Sequence, residues 1–333
     1  MRILVTGGTG FIGSRLALEA RGQGHTVIVA GQLNSDPERV RAAELERAGI
    51  AIEQGPLQDS DYARRIARDC EAVIHLAAAQ HEANVAESYF FDVNVNGTRT
   101  LIEACELAGV RRFVYGSTIG IYGESSGEVL DENSPPRPAN AYGRSKLAAE
   151  QLVNAHAGSL QKSIVRISET YGPGDFRLLK LYRAVDRGRF LMIGSGLNRR
   201  QPIHVSDLVR GLMLAASNPA AAGGTFVMAG EEVLTTRELV RQIALVLQRK
   251  PPGWHLPMWP FLAAAVVMES TLSPLGIQPP LHRRRLDFFR KSFLFSTLRA
   301  RTQLGFVPRI PLSQGAVDTA EWYRTHGYLS TPK

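Results

Sequence analysis

The chain has 333 residues, of which 44% are hydrophobic and 21% charged, and these values exclude a disordered or collagen-like protein. The longest strongly apolar run, residues 258–268, falls short of the ~20 residues that a membrane span needs, which excludes a transmembrane segment. Residues 1–160 carry a net charge of −5 and residues 161–333 one of +13. Because no nucleic-acid motif accompanies the basic half, we expect a small anionic ligand or a solvated surface, and no nucleic acid.

The first half of the chain alternates strand-like and helix-like segments. Strands are predicted at 2–6, 26–30, 51–54, 72–76 and 112–116, and helices at 13–24, 37–48, 59–69 and 94–108. This alternation is typical of βαβ units around a parallel sheet, and near-continuous apolar strands fit a sheet that is covered on both faces. We therefore predict an α/β fold with a Rossmann-type, doubly wound parallel sheet.

The second half is less regular. Helices are predicted at 142–157, 177–189, 206–216, 235–248 and 312–326, a strand at 163–167, and a proline-rich apolar stretch at 251–280. Thr235 or Thr236 is the expected N-cap of the fourth of these helices. We predict that residues 1–165 form mainly the Rossmann domain, that segments near 203–225 return to it, and that residues 166–333 form mainly a smaller C-terminal cap.

Cys70 and Cys105 are the only cysteines, and both lie in apolar surroundings. Two cysteines in a chain of this length do not make a disulfide scaffold, and their spacing is not that of metal ligands. We expect two reduced, buried thiols, no metal and a cytoplasmic location.

Glycines at positions 7, 10 and 13 form a GxxGxxG pattern that follows the first strand and opens the first helix. Glycine allows a tight turn and a close approach of a pyrophosphate to the backbone, and the helix N-terminus supplies free N–H groups and a partial positive charge. The pattern therefore predicts a dinucleotide-binding loop.

Tyr142 and Lys146 are four residues apart, so on a helix they share one face. A free tyrosine has a pKa near 10, and a nearby ammonium together with an oxidised nicotinamide favours the phenolate. A second polar group lies at the C-terminal end of the strand 112–116, where ligands bind in doubly wound sheets. There, Ser117 and Thr118 compete as the hydroxyl that hydrogen-bonds the reacting substrate oxygen.

Seven short motifs lie in order along about 200 residues: TGGTGFIG at 6–13, HLAA at 75–78, NVNGT at 94–98, STIGIYG at 117–123, YGRSK at 142–146, YGPGD at 171–175 and IHVSDL at 203–208. With these motifs the chain resembles the extended short-chain dehydrogenase/reductase family of the NAD-dependent epimerase/dehydratase type. The resemblance is specific for fold and cofactor class and unspecific for substrate.

The resemblance implies roles for individual residues. It assigns the catalytic hydroxyl to Thr118 rather than Ser117, and it matches Tyr142 and Lys146 to the catalytic pair. The residues that it places around the cofactor are Gly7, Gly10, Phe11, Ile12, Gly13, Leu57, Leu76, Ala77, Ala78, Tyr142 and Lys146.

Several positions depart from the family pattern. Gly31 stands where NAD-using members usually carry an acidic residue, and its presence favours NADP while leaving NAD open. Arg39 or Arg41 is close enough along the chain to contact a 2′-phosphate, although we expect both on a solvated helix face. The usual adenine-contacting Asp is replaced by Pro56. Ile119-Gly120 follow Thr118 in place of the Asp-Glu of sugar-nucleotide 4,6-dehydratases, which argues against dehydration.

The substrate signals point in two directions. Arg200 matches an arginine that sugar-nucleotide members place on the substrate phosphates, and Arg283 adds positive charge. Glu169, where an Asn is usual, opposes a diphosphate, and His81 is a further candidate for the pocket. We predict a nucleotide-sugar epimerase or ketoreductase. The alternative is a reductase or dehydrogenase of an apolar ketone or lipid alcohol, akin to 3β-hydroxysteroid dehydrogenases, and a third hypothesis is a cofactor-binding protein without catalysis.

The apolar stretch 254–268 is compatible with a lid, with core or with a peripheral membrane contact, and we favour lid or core. The resemblance also implies a homodimer in which the helices 94–108 and 142–157 pair across a two-fold axis.

Overall fold

The computed structural model describes residues 1–80, 85–123, 127–253, 255–272, 277, 279–281 and 283–330. The strands are β1 Arg2–Thr6, β2 Thr26–Ala30, β3 Ala51–Glu53, β4 Ala72–His75, β5 Arg112–Thr118, β6 Val129–Leu130, β7 Gln161–Ile167, β8 Thr170–Tyr171, β9 Met192–Ile193, β10 Arg199–Arg200, β11 Ile203–His204, β12 Thr225–Met228, β13 Leu234–Thr235, β14 His255–Leu256 and β15 Leu294–Phe295.

The α-helices are α1 Phe11–Gly22, α2 Asp36–Arg47, α3 Ser60–Ala67, α4 Glu87–Phe91, α5 Gly97–Leu107, α6 Ala141–Ala155, α7 Leu179–Asp186, α8 Val205–Ser217, α9 Thr236–Val246, α10 Met258–Leu272, α11 Arg283–Arg290, α12 Leu298–Leu304 and α13 Leu312–Thr325. Short 3₁₀ helices span Ile119–Tyr122 and Pro219–Ala221, and a π-helical turn spans Asp92–Asn96.

A seven-stranded parallel sheet has the order β12-β7-β5-β4-β1-β2-β3. The chain runs outward from β1 to β3 and then returns to the other side of β1 to begin β4. The strand order therefore reverses between β1 and β4, which is the switch point where doubly wound sheets bind ligands. The predicted Rossmann-type fold is confirmed.

Both faces of this sheet are buried. Ile3 and Val5 of β1 face one apolar cluster with α1, α8 and α12, whereas Leu4 faces a second cluster with α3, α5 and α6. Strands covered on both faces must be apolar throughout, which explains the near-continuous hydrophobic runs. α8 packs on one face of this sheet, and β12 joins its edge beside β7.

Later parts of the chain form a third cluster around α7, α9 and α13, with Tyr182 and Tyr323 fully buried. Two-residue strands pair as β10-β13, β11-β8, β14-β9 and β15-β6. Thr235 is the N-cap of α9 and forms a capping box with Glu238, so one of the two predicted caps is confirmed. The helix predicted at 94–108 differs, because its first turn is π-helical and α5 begins only at Gly97.

Candidate functional site

The loop between β1 and α1 has no room for side chains at its glycines. A Cβ on Gly13 would lie 2.3 Å from the carbonyl oxygen of Gly7, and Gly7 itself has a φ of +66°. Gly10 caps α1 without a side-chain hydrogen bond. The first amides of the helix therefore face a cradle without a competing side chain, which fits the pyrophosphate of a dinucleotide.

A cleft of about 710 Å³ runs from this loop along the carboxyl ends of the strands; we call it the cofactor cleft. It brings together all the residues that the sequence assigned to catalysis and to the cofactor. These are Gly7, Gly10, Phe11, Ile12, Gly13, Leu57, Leu76, Ala77, Ala78, Thr118, Tyr142 and Lys146. Residues from β1, β4, β5 and α6 meet here because parallel strands end at one edge of the sheet.

The two hydroxyls at the end of β5 have different surroundings. Thr118 is half-buried, and its Oγ1 accepts a hydrogen bond of 3.0 Å from the amide of Gly120. Ser117 is only 3% exposed, and its Oγ has no hydrogen-bond partner among the described residues. Both residues line the cleft, so geometry leaves the choice of Thr118 as a prediction from the resemblance.

α6 carries Tyr142 and Lys146 into the cleft, and Asn140 caps this helix through the amide of Gly143. Tyr142 is half-buried. Lys146 is 2% exposed, and its Nζ lies 4.1 Å from the centre of the Tyr115 ring. Burial lowers the pKa of Lys146 to about 7, although Glu150 one turn away raises it.

Asn94 lies in the π-helical turn and joins two parts of the site. Its Oδ1 accepts from the amide of Ala79 at 2.8 Å, and its Nδ2 donates to Ser145 Oγ at 2.9 Å. It thereby connects the segment after β4 to the helix of Tyr142 and Lys146. The NVNGT motif marked this residue without giving it a function, and π-turns often occur at functional sites.

His75 at the end of β4 forms a second buried link. Its two ring nitrogens lie 2.6 Å from Thr6 Oγ1 and 2.9 Å from Thr98 Oγ1. Burial, with a smaller effect of Lys146, lowers the pKa of His75 to about 3, so the ring is neutral at physiological pH. The amide of Ala77 donates to the same Thr6 hydroxyl at 3.3 Å, which fixes the strand end beside the glycine loop.

Glu150 and Arg166 form an ion pair beneath the site that sequence reasoning missed. Glu150 is 2% exposed, and Arg166 donates to it from Nη2 at 2.9 Å and from Nε. Arg166 Nη1 also donates to the hydroxyl of Tyr122 at 2.8 Å. The pair connects α6 to β7 and keeps the turn below Lys146 in place. Its signal in the sequence is the i, i+4 spacing of Lys146 and Glu150.

The expectation of a solvated helix face on α2 is wrong for Arg41. Its side chain lines the cleft, is 7% exposed, and donates from Nη2 to the carbonyl of Gly174 at 3.0 Å. Burial lowers its pKa to about 10. Arg39, by contrast, pairs with Asp36 at the surface. The fold decides between them because α2 presents only one of these arginines to the loop.

The structure also explains the absence of an acidic residue at Gly31. A Cβ there would lie 2.4 Å from Oγ1 of Thr9, a hydroxyl that donates to the carbonyl of Gln32 at 2.8 Å. A side chain at this position therefore requires the side chain of Thr9 to shift.

Arg200, Glu169 and Arg283 are not among the described residues that line the cleft. Arg200 is 7% exposed and donates from Nη1 to both carboxylate oxygens of Glu169 at 2.8 and 2.7 Å. Its Nε reaches Thr236 at 3.0 Å, and its guanidinium stacks over the Phe288 ring at 4.1 Å.

Arg283 is exposed and pairs with Glu269 at 2.7 Å, also away from the cleft lining. His81 lies outside the described residues. The roles proposed for Arg200, Glu169, Arg283 and His81 stay predictions.

Comparisons with known proteins agree with the geometry. Residues 3–229 match the model of the NAD dependent epimerase/dehydratase family. A dTDP-glucose 4,6-dehydratase of Streptomyces niveus is 31% identical over 97% of this chain and 93% of that protein. A UDP-glucose 4-epimerase of Mycolicibacterium smegmatis is 31% identical over 97% of this chain and 99% of that protein.

Among solved structures, MoeE5 in complex with UDP-glucose and NAD superposes with a TM-score of 0.74 at 28% identity, covering 98% of this chain and 99% of that one. The chain belongs to the NAD dependent epimerase/dehydratase family, within the extended short-chain dehydrogenase/reductases, and is an NAD(P)-dependent enzyme.

Proposed function

We propose that this enzyme is a nucleotide-sugar epimerase or ketoreductase that uses Thr118, Tyr142 and Lys146. The observation that carries the proposal is the cofactor cleft, where these three side chains lie in one continuous cavity with the glycine loop. The full-length similarity to a UDP-glucose epimerase supports the substrate class. Ile119 and Gly120, which follow Thr118, bring no acid or base for the removal of water, so we favour epimerisation or ketone reduction over dehydration.

Each residue of the proposed site has its own role in the reaction. Tyr142 accepts the proton of the substrate hydroxyl, and Thr118 holds the same oxygen by a hydrogen bond. Lys146 favours the phenolate of Tyr142 by its positive charge and holds the cofactor ribose. The glycine loop and the N-terminus of α1 bind the pyrophosphate. A bound nicotinamide would accept the hydride that leaves the oxidised carbon of the substrate.

For the cofactor we propose NADP ahead of NAD. The end of β2 offers no carboxylate at Gly31 that would repel a 2′-phosphate, and Thr9 occupies the space where such a side chain would begin. Calorimetric titration with both nucleotides tests this. Tighter binding of NADP is expected, and tighter binding of NAD would contradict the preference without affecting the assignment to the family.

A panel of UDP-, dTDP- and GDP-sugars tests the proposed substrate class. We expect turnover of at least one sugar, measured by nicotinamide absorbance or by the appearance of the epimer. The same compound should raise the melting temperature of the protein. If no sugar nucleotide is turned over and none raises the melting temperature, the proposal is wrong.

A reductase of apolar ketones or lipid alcohols is the second candidate, and the Arg200–Glu169 pair favours it. The carboxylate neutralises the arginine that would otherwise attract a diphosphate. A putative dihydroflavonol 4-reductase of Synechocystis is 28% identical over 98% of this chain and 96% of that protein. Turnover of flavanonol-like or sterol ketones, with no turnover of sugar nucleotides, would establish this alternative.

The homodimer also remains a proposal. α5 and α6 lie side by side on one face of the sheet, as the two-fold arrangement requires. Light scattering at micromolar concentration is expected to give twice the 36.5 kDa chain mass, and a monomer mass would contradict the prediction.

A further inference from the structure

α10 is an apolar helix that leaves one of its faces exposed. Its sequence, MWPFLAAAVVMESTL, contains one charged residue, Glu269, and only Ala265 is buried. A helix that is apolar on all sides normally lies inside a protein core or in a membrane. α10 packs against α11, and eight of its residues are half-buried, but six residues stay exposed.

The open surface is a single stripe. Trp259 is 72% exposed, Val266 49% and Val267 59%, and Ala263 and Ser270 are exposed between and beyond them. Positions 259, 263, 266, 267 and 270 follow the spacing of one helix face. We call this stripe the α10 face. Large apolar side chains in one contiguous row mark an interaction surface rather than ordinary scatter.

Charge beside the α10 face is positive. Residues 255–291 carry a net charge of +3, and the exposed Arg283 and Arg285 lie at the start of α11. Arg283 pairs with Glu269 at 2.7 Å, so the single acidic side chain of α10 is neutralised. The combination of an apolar helix with neighbouring arginines is typical of helices that lie in the surface of an anionic bilayer.

Length and charge decide between a membrane and other occupants. Fifteen residues span about 22 Å, less than the ~30 Å hydrocarbon core, and over the described residues no helix qualifies as a membrane span. The helix is therefore long enough to lie along a membrane surface and too short to cross it. The positive charge beside the α10 face favours an anionic surface over a second copy of this chain, which would carry the same positive charge.

We propose that the α10 face docks the enzyme on anionic lipid bilayers, with Trp259, Val266 and Val267 inserted and the arginines of α11 on the headgroups. The test is co-sedimentation of the full-length protein with phosphatidylglycerol–phosphatidylcholine vesicles and with pure phosphatidylcholine vesicles. Binding to the anionic vesicles is expected, it weakens with added salt, and Arg285→Gln weakens it about fivefold.

The double variant Val266→Glu/Val267→Glu isolates the apolar contact. Both side chains are exposed, so the fold should tolerate the change, and we expect binding at least about tenfold weaker. Leu298→Glu is the matched control, because Leu298 is 63% exposed on α12, and it should bind as the wild type does. Unchanged binding of the double variant, or no binding of the wild type to anionic vesicles at low salt, would overturn the proposal.

A labelling experiment locates the contact. Because both native cysteines are buried, a cysteine at Ala263 can be labelled selectively with an environment-sensitive dye. A blue shift of its emission with anionic vesicles is expected, and a label at Leu298→Cys should show none. If the double variant instead lowers the oligomer mass in light scattering and leaves vesicle binding intact, the face joins copies of the chain and the membrane proposal is wrong. None of these readouts requires sugar-nucleotide turnover, so they are independent of the proposed function.

Discussion

Lys146 in the cofactor cleft and Arg200 on β10 are both buried cations, and their surroundings differ. Arg200 has a carboxylate, a threonine hydroxyl, a backbone carbonyl and an aromatic face around it. Lys146 has the ring of Tyr115, and among the described residues no carboxylate lies within ion-pair distance of it. The pKa of Lys146 falls to about 7 because burial removes its hydration.

We interpret the difference as that between a structural cation, Arg200, and a proposed functional one, Lys146. A buried charge without an ionic partner destabilises the fold and persists where function requires it. A buried arginine with all-round hydrogen bonds holds elements together instead. In the proposed function, the charge of Lys146 in the cleft is available for a ligand, while the charge of Arg200 on β10 is paired within the protein.

The largest expected effect comes from the cleft. Tyr142→Phe removes the phenol but keeps the ring, and turnover of the identified substrate should fall by about 10²–10⁴. Cofactor affinity should survive, because the glycine loop and Lys146 remain. Thr118→Ala should also slow turnover with cofactor affinity intact. Steady-state kinetics and nucleotide titration measure both quantities.

Tyr89→Phe is the control for that experiment, since Tyr89 also lines the cleft and has no assigned chemical role. Near-full turnover of Tyr142→Phe with cofactor bound would refute the phenolate mechanism. It would also remove the reason to regard Lys146 as a functional cation.

Arg200→Met tests the structural side. The substitution leaves the partly exposed Glu169 without its partner and removes the links to Thr236 and Phe288, so the free energy of unfolding should fall by about 1–2 kcal/mol. Urea denaturation measures the loss. Arg237→Met, in which an exposed guanidinium on α9 loses one surface hydrogen bond, should change little. A stable Arg200→Met protein with impaired sugar-nucleotide binding would instead make Arg200 a substrate ligand.

Gly13→Ala tests how closely the glycine loop is packed. Its Cβ would collide with the carbonyl of Gly7, so we expect a stability loss of about 1–3 kcal/mol together with weakened nucleotide binding. Gly22→Ala is the matched control in the same helix, because nothing lies within 4 Å of its Cβ position. That variant should be stabilised by up to about 1 kcal/mol. If Gly13→Ala and Gly22→Ala had the same stability and nucleotide affinity, the glycine loop would have to relax around the added methyl group.

The smallest effect is expected for the stability of Lys146→Met. At pH 7 the free energy of unfolding of this variant should be about 1 kcal/mol higher than that of the wild type. Removal of the desolvated charge stabilises the fold by more than the loss of the cation–π contact with Tyr115 destabilises it. The folded pKa of Lys146, about 7, lies below the ordinary 10.5, so between these values the unfolded chain binds more protons. Wild-type stability therefore rises with pH across this window.

The advantage of Lys146→Met should accordingly shrink from pH 7 towards pH 10, as measured by urea unfolding in a pH series. Cofactor binding and turnover should both be damaged in the same variant. A loss of stability at pH 7 would mean that Lys146 is a structural cation like Arg200.

Local and periodic patterns in the sequence were sufficient for much of this protein. The glycine spacing and the alternation of strands and helices predicted the nucleotide-binding loop and the parallel sheet, and the four-residue spacing of Tyr142 and Lys146 predicted that they share a helix face. The family resemblance added Thr118, Leu57 and the segment 76–78, and all of these residues line one cleft. These features are legible because a turn, a helix face or a strand end depends on neighbouring residues in the chain.

Tertiary structure alone decided which charged and polar side chains meet. Arg41 rather than Arg39 enters the cleft, Asn94 connects Ala79 to Ser145, and Arg200 pairs with Glu169, 31 residues away. Such pairings depend on which elements pack together and on competition among many carboxylates and carbonyls for each donor. Spacing in the sequence does not predict the outcome of that competition, because burial and hydrogen-bond geometry are fixed only when the elements pack.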